Sequence, residues 1–214
     1  MKIVIFGATG MVGQGVLREC LLDERVDEVV AVGRTAVGGD APKLRDVVTD
    51  LWHLDAAQFA DTDAVLFCLG VSSAGMSEAD YTRTTYDLTM AIADVFPATT
   101  TFCYVSGAGT DSSEQGRIRW ARIKGRTENA LLAKPFPAYM FRPGVIQPMH
   151  GAVSKTPLYR NIYRIVNPLL SLLRSAFPRL VTTTERIGVA MLNVAIDGWP
   201  RHILDNAEID KAAG

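Results

Sequence analysis

The sequence is poor in the residues that build disulfide frameworks and metal centres. Its 214 residues include three cysteines and three histidines. Cys20, Cys68 and Cys103 are odd in number, widely spaced and set in apolar stretches, which favours reduced thiols in a core. The histidines show no ligand spacing, so the sequence predicts no metal site.

The chain also lacks an excess of charge of either sign and a long apolar run. Its 22 basic and 23 acidic side chains give a net charge of −1, which supplies no basic field for nucleic acid. No apolar run reaches about 18 residues, so no membrane span is predicted. The start, MKIVIFGATG, turns glycine-rich too early for a signal peptide. Together these features predict a cytoplasmic protein that binds a small molecule.

Short runs of β-branched residues alternate with longer helix-like segments along most of the chain. Strands that are apolar on both faces and separated by helices predict an α/β fold with a doubly wound parallel sheet. The length suits one domain over 1–214. The predicted strands are KIVIF, DEVVAV, RDVVTD, DAVLFCL, TTFCYVS, AYMFRPGVI and RHIL, and the predicted helices cover about 11–22, 78–95 and 115–133.

The segment 147–182 departs from this alternation because it holds four prolines and a series of spaced apolar residues. We expect irregular helices here that form a small cap over the carboxyl edge of the sheet, where substrate pockets of this architecture lie. Core packing or a homodimer contact is an equally good interpretation of such an apolar series. The residues that follow, TTTERIG, have capping-box spacing from Thr182 to Glu185, which predicts a helix start.

A glycine-rich turn follows the first strand in VIFGATGMVGQG. Gly7, Gly10 and Gly13 permit a tight turn, close approach of the backbone to a pyrophosphate, and close packing of helix on strand. The free N–H groups of the helix start would then face the phosphates. This position, between a strand and a helix, predicts a dinucleotide site.

The ends of the next strands predict the adenosine side of that site. An acidic residue after the second strand would bind the ribose 2′-hydroxyl of NAD, but this chain has Arg34, whose planar fork suits the 2′-phosphate of NADP. Asp50 and Leu51 are expected to bracket the adenine. The end of the fourth strand should line the crevice through Cys68, Leu69 and Gly70.

Two later segments carry the residues expected to do chemistry. Ser106 ends the fifth strand, and Trp120 and Lys124 lie one turn apart on the helix that follows. In a Ser, Tyr, Lys arrangement the serine would polarise a substrate carbonyl and a tyrosine at 120 would donate the proton. The lysine, here Lys124, would lower the tyrosine pKa and bind the nicotinamide ribose of the cofactor. An indole has no usable proton to give, so Trp120 is interpreted as an aromatic shield against the nicotinamide or the substrate pocket. The proton could instead pass through Ser106, a water, or a nearby tyrosine: Tyr81, Tyr86 or Tyr104.

The sixth strand ends in FRPGVIQP, which turns the chain at a proline and a glycine. Backbone groups of Pro143, Gly144 and Val145 are expected at the nicotinamide end. Arg142 is interpreted equally well as a phosphate or substrate contact and as a member of a structural ion pair.

With these residues in view, the chain resembles atypical short-chain dehydrogenases of the Tat-interactive protein type. The matching segments are GATGMVG, VGR, VVTDLWHLD, FCLG, YVSGAGTDSS, KGRTENAL, FRPGV and RIGVAMLN. The resemblance implies a single Rossmann domain in which Ser106 and Lys124 are the catalytic serine and lysine. It also implies NADPH binding by Gly7, Thr9, Gly10, Met11, Val12 and Arg34. Trp120 departs from the tyrosine usual in these relatives.

These residues are compatible with three functions. The first is an NADPH-dependent oxidoreductase that acts on a small carbonyl or quinone-like substrate. The second is a protein of the same fold that binds NADPH and signals its presence to a protein partner, which suits the missing tyrosine. The third is an epimerase or dehydratase acting on nucleotide sugars, which would also need the missing base.

Overall fold

The computed structural model describes residues 1–153 and 180–214, and a parallel sheet of seven strands lies at the centre of these ranges. The strands are β1 (Lys2–Phe6), β2 (Glu28–Gly33), β3 (Leu44–Val48), β4 (Ala64–Phe67), β5 (Thr101–Val105), β6 (Ala138–Arg142), β7 (Val145–Gln147), β8 (Val181–Thr183) and β9 (Ile203–Asp205). The sheet has the order β3-β2-β1-β4-β5-β6-β9, and β7 pairs with β8 in a separate parallel ladder.

Helices cover both faces of the sheet. On β1, Ile3 and Ile5 belong to one core and Val4 and Phe6 to the other, so successive side chains of one strand supply two cores. The helices are α1 (Met11–Leu22), α2 (Glu78–Thr82), α3 (Leu88–Ala93), α4 (Arg119–Leu132), α5 (Thr184–Asp197) and α6 (Asn206–Ala212), with a π-helical turn (Arg83–Asp87) between α2 and α3 and a 3₁₀ turn at Ala56–Phe59.

The strand order confirms the predicted doubly wound fold. From β1 the chain moves outward through β2 and β3, and then returns to the other side of β1 to add β4, β5 and β6. In open parallel sheets, the point where the order reverses leaves a crevice outside the carboxyl ends of the strands. Here that point lies between β1 and β4, directly beside the glycine-rich turn.

Two glycines let α1 and α5 pack closely on one face of the sheet. A Cβ on Gly15 would lie 2.6 Å from the Cβ of Thr184 and 2.7 Å from its carbonyl oxygen. A Cβ on Gly188 would lie 3.1 Å from the carbonyl oxygen of Gly15. Side chains at these positions would therefore push the two helices apart.

The structure differs from the sequence prediction in two details. The predicted strand AYMFRPGVI is divided into β6 and β7, because the chain turns at Pro143 and Gly144 and β7 pairs with β8 instead of joining the main sheet. The cap of α5 is Thr183, whose hydroxyl oxygen accepts a hydrogen bond of 3.0 Å from the backbone N–H of Arg186. The predicted cap, Thr182, lies instead within β8.

Most of the predicted helical cap lies outside the described residues. Its ends are described as β7 and β8, whereas 154–179 are not. The cap and the assignment of 1–214 to one domain therefore stay predictions. None of the helices in the described ranges is long and apolar enough to cross a membrane.

The packing of α1 on α5 predicts the effect of one added methyl group. Gly15→Ala should lower the free energy of unfolding by about 1–3 kcal/mol, because the new Cβ meets the backbone and side chain of Thr184. Urea denaturation of the purified protein measures this change. Gly70→Ala is the control, since a Cβ there meets no atom within 4 Å. Equal stability of Gly15→Ala and wild type would contradict the packing argument.

Candidate functional site

A cavity of about 500 Å³ opens at the carboxyl ends of β1, β2 and β4. Its volume lies in the range typical of small-molecule sites. The turn between β1 and α1 forms one wall, and the segments that follow β2 and β4 form the others. The lining residues are Gly7, Ala8, Thr9, Gly10, Met11, Ala31, Val32, Gly33, Arg34, Thr35, Val37, Leu51, Cys68, Leu69, Gly70 and Val71.

Gly7 is required at the start of the turn for two reasons. Its φ of +82° lies in the left-handed region, which residues with a side chain rarely adopt. A Cβ at this position would also lie 2.6 Å from the backbone nitrogen of Leu69. The backbone of the turn therefore lies directly against the end of β4, so that both line one cavity.

The start of α1 faces this cavity without a side-chain cap. Gly10 is the N-cap residue and has no side chain with which to cap the helix. The N–H groups at a helix start carry a partial positive charge and bind anionic groups such as phosphates. Gly13 lets the first turn of α1 pack against the backbone of Gly7, since a Cβ there would lie 2.1 Å from the carbonyl oxygen of Gly7. These residues fit the pyrophosphate of a dinucleotide.

The structure separates the residues predicted for the adenosine side. Arg34 and Leu51 line the cavity, with Arg34 exposed and Leu51 buried. Asp50 is not among the lining residues. Its carboxylate accepts a hydrogen bond of 3.1 Å from the backbone N–H of Trp52 and contacts Nδ1 of His53 at 2.8 Å. Both contacts lower the pKa of Asp50, and they engage both of its oxygens within its own turn.

A second cavity, of about 650 Å³, continues from the first. The two share Gly10, Met11, Cys68, Leu69 and Gly70, so they form one crevice along the carboxyl edge of the sheet. The second cavity adds residues that follow β5 and β6 and two residues of α4. Its lining residues beyond the shared ones are Val12, Val105, Ser106, Gly107, Ala108, Trp120, Lys124, Pro143, Gly144, Val145, Ile146 and Leu180.

Ser106, Trp120 and Lys124 meet at this second cavity. The ammonium of Lys124 donates a hydrogen bond of 2.8 Å to the backbone carbonyl of Ser106 and lies 3.5 Å from that of Val105. The same nitrogen lies 5.6 Å from the centre of the Tyr104 ring. Burial lowers the pKa of Lys124 to about 8, and the opposing effect of the Glu128 carboxylate is smaller.

A buried carboxylate behind the serine was not predicted from the sequence. Glu128 is fully buried on α4, one turn beyond Lys124. The hydroxyl of Ser106 donates a hydrogen bond to it, and the guanidinium of Arg142 pairs with it, with Nε at 3.1 Å from both of its oxygens. Because this hydrogen bond runs from the serine to the buried carboxylate, the proton of Ser106 is directed away from the cavity.

The ion pair with Glu128 shows the role of Arg142 in the described part of the chain. Of its two predicted interpretations, the structure shows the ion pair, with a further hydrogen bond from the guanidinium to the hydroxyl of Ser112. The signal in the sequence for a carboxylate at this site was a glutamate four residues after Lys124, on the same face of the helix. A glutamate in a helix of mixed polarity is more often solvated than buried, so the sequence did not single it out.

The three tyrosines that were considered as proton donors are absent from the described lining residues of both cavities. Tyr81 and Tyr104 are buried, and burial raises the pKa of each. The Tyr86 ring packs under the guanidinium of Arg126, 4.1 Å from its centre. Trp120 does line the second cavity.

Comparison with known proteins gives distant relatives. No protein-family model matches the chain. Protein fmp52-2, mitochondrial, of Aspergillus terreus is 25% identical over 202 residues, which cover 91% of this chain and 87% of that protein. Protein FMP52, mitochondrial, of Meyerozyma guilliermondii is 27% identical over 159 residues, which cover 68% of this chain and 65% of that protein.

These relatives correct the predicted cytoplasmic location. Four curated relatives are named as mitochondrial proteins, which contradicts that prediction. The prediction failed because composition and folding physics are alike for proteins of both compartments. Location depends instead on address signals that receptors read.

Solved structures share the fold at low sequence identity. A short chain dehydrogenase family protein from Francisella tularensis superposes with a TM-score of 0.64 at 13% identity, covering 92% of this chain and 91% of that one. A UDP-glucuronic acid 4-epimerase from Bacillus cereus, solved in complex with NAD, has a TM-score of 0.61 at 11% identity, covering 91% and 72%. The chain thus has the Rossmann-like α/β fold that these NAD(P)-binding oxidoreductase and epimerase structures share.

Proposed function

We propose that the protein is an NADP(H)-dependent oxidoreductase of the atypical short-chain dehydrogenase type, related to the Tat-interactive proteins, and that it acts on a small carbonyl or quinone-like substrate. The observation that carries the proposal is the continuous crevice along the carboxyl edge of the sheet. It has an uncapped helix start and Arg34 at one end, and Ser106 and Lys124 at the other.

The first part of the crevice would hold the dinucleotide. Gly7, Thr9, Gly10, Met11 and Val12 lie where the pyrophosphate would meet the start of α1. Leu51 and the segment Cys68–Gly70 would contact the adenosine. When bound, a nicotinamide dinucleotide donates or accepts a hydride. The residues Pro143, Gly144 and Val145 line the second cavity and would meet its nicotinamide end.

The preference for NADPH would come from Arg34. Arg34 lines the first cavity and directly follows β2. A planar, always charged fork can form paired hydrogen bonds to a phosphate. No acidic side chain is among the described residues lining this cavity, so the feature that selects the 2′-hydroxyl of NAD is missing there.

The second part of the crevice would hold the substrate. Trp120 and the apolar residues from β7 and from the turn before β8 form its walls, which suits a flat, largely apolar carbonyl compound. The hydroxyl of Ser106 can bind a substrate oxygen as a donor only by giving up its bond to Glu128. The main-chain carbonyl of Ser106 holds Lys124 at the same cavity.

The role of Arg34 predicts a selective loss of affinity. Arg34→Asp should weaken NADPH binding by about 1.5–3 kcal/mol, the range for hydrogen bonds to charged groups. NADH binding should change little, because it carries no 2′-phosphate. Calorimetric titration with each dinucleotide measures both effects. Arg45→Asp is a control, since Arg45 is exposed on β3 and pairs with Glu28 outside both cavities. Equal losses for NADPH and NADH would contradict the proposed reading of the 2′-phosphate.

The absence of a tyrosine at position 120 predicts that introducing one raises the turnover. Trp120→Tyr should raise the turnover of NADPH with menadione or isatin by about tenfold or more, because it adds a phenol that can exchange a proton. Trp120→Phe is the matched control, an aromatic side chain without a hydroxyl. Ser106→Ala should lower the turnover. If NADPH binds and none of these variants changes turnover, the oxidoreductase proposal fails and an NADPH-dependent binding protein becomes the better account.

A further inference from the structure

The described residues at the second cavity leave few groups that can exchange a proton. Cys68, Ser106, Trp120 and Lys124 are the described lining residues whose side chains carry a polar hydrogen. Burial raises the pKa of Cys68 to about 12, the indole of Trp120 does not ionise, and the hydroxyl proton of Ser106 is directed to Glu128. Among these residues, Lys124 has the group best suited to exchange a proton.

The position of Lys124 suits direct contact with a substrate. An ammonium has three donors, and the carbonyl oxygens of Ser106 and Val105 lie where they can accept two of them. Within the described part of the chain, this leaves one donor for an oxygen in the cavity. The main-chain contacts also hold the nitrogen at the end of β5, in the part of the crevice that Trp120 lines and Arg34 does not.

We propose that Lys124 is itself the proton donor and acceptor of the reaction, at the site where a tyrosine is missing. This inference rests on the oxidoreductase function proposed above. In reduction, the carbonyl carbon gains the hydride that NADPH supplies, and the carbonyl oxygen gains the proton of the Lys124 ammonium. The N–H bond breaks, its electron pair stays on nitrogen, and the products are an alcohol and a neutral amine. Solvent then returns a proton to the amine, and oxidation of an alcohol is the reverse.

The groups around Lys124 bring its pKa closer to neutral pH. Removal from water disfavours the charged ammonium and is the largest effect, while the carboxylate of Glu128 on α4 opposes it. Tyr104 on β5 presents its ring to the ammonium, and Arg142 on β6 neutralises much of the Glu128 charge. A pKa of about 8 keeps most of the amine protonated at neutral pH and still allows it to release the proton.

The first experiment measures the amine directly, in the wild-type protein and without dinucleotide. Trace acetylation with acetic anhydride over a range of pH, followed by peptide mass spectrometry, gives the reactivity of each lysine. The neutral amine is the reactive form, so the rate at Lys124 should rise to a plateau with a midpoint near pH 8. Exposed Lys211 is the internal reference for the reagent. A midpoint near the ordinary lysine value of about 10.4 would overturn the inference.

The second experiment separates proton exchange from charge and hydrogen bonding. Arg at this position keeps a cation and several donors but does not release a proton near neutral pH. Lys124→Arg should therefore keep NADPH affinity within about threefold in calorimetry and lose about 10²-fold or more of isatin turnover. Trp120→Tyr, combined with Lys124→Arg, should recover part of that turnover through the phenol. Unchanged turnover of Lys124→Arg would show that Lys124 only positions the ligand.

The rates of reduction and of oxidation should depend on pH with opposite signs. Reduction of isatin uses the ammonium, so its rate should fall as the pH rises through about 8. Oxidation of the corresponding alcohol uses the neutral amine, so its rate should rise over the same interval. Failure of the wild type to bind either dinucleotide would reject the proposed function, whereas a normal lysine titration with intact NADPH binding would reject this inference alone.

Discussion

The close approach of two backbones at Gly7 is the constraint on which the crevice depends. The turn after β1 can lie against the end of β4 only because residue 7 has no side chain and adopts a left-handed φ. Gly13 extends the same contact into α1, since a Cβ there would overlap the carbonyl oxygen of Gly7. The first strand, the helix start and the fourth strand are thereby held together, and their meeting point is the switch point of the sheet.

A second constraint organises the other end of the crevice. Glu128 is fully buried, and it connects α4 to β6 through Arg142 and to the end of β5 through Ser106. An unpaired carboxylate in this position would be costly, so loss of the Arg142 side chain would destabilise the fold. The same carboxylate accepts the hydrogen bond of the Ser106 hydroxyl and opposes the effect of burial on the pKa of Lys124. Packing and chemistry are therefore coupled at this end.

Much of the fold and part of the candidate site could be predicted, because they rest on local patterns. Apolar β-branched runs predicted the parallel sheet, and the spacing of Gly7, Gly10 and Gly13 predicted the turn. Residues that directly follow strands had to lie at one edge of the sheet, which brought Arg34, Cys68 and Ser106 to the crevice. Asp50 was expected at the adenine but is not among the residues that line the cavity. The direction of its carboxylate depends on the turn that it forms with Trp52 and His53, which the strand pattern does not encode.

By itself, the sequence determined the strand and helix alternation, the dinucleotide-type turn, and the absence of a tyrosine at position 120. These are properties of residue type and spacing along the chain. Only the tertiary structure decided that Glu128 is buried behind Ser106, that Arg142 belongs to an ion pair, and that Tyr81, Tyr86 and Tyr104 lie away from the described walls of the crevice. It also decided the environment of Lys124. Burial and pairing arise from groups distant in the chain, so no local pattern encodes them.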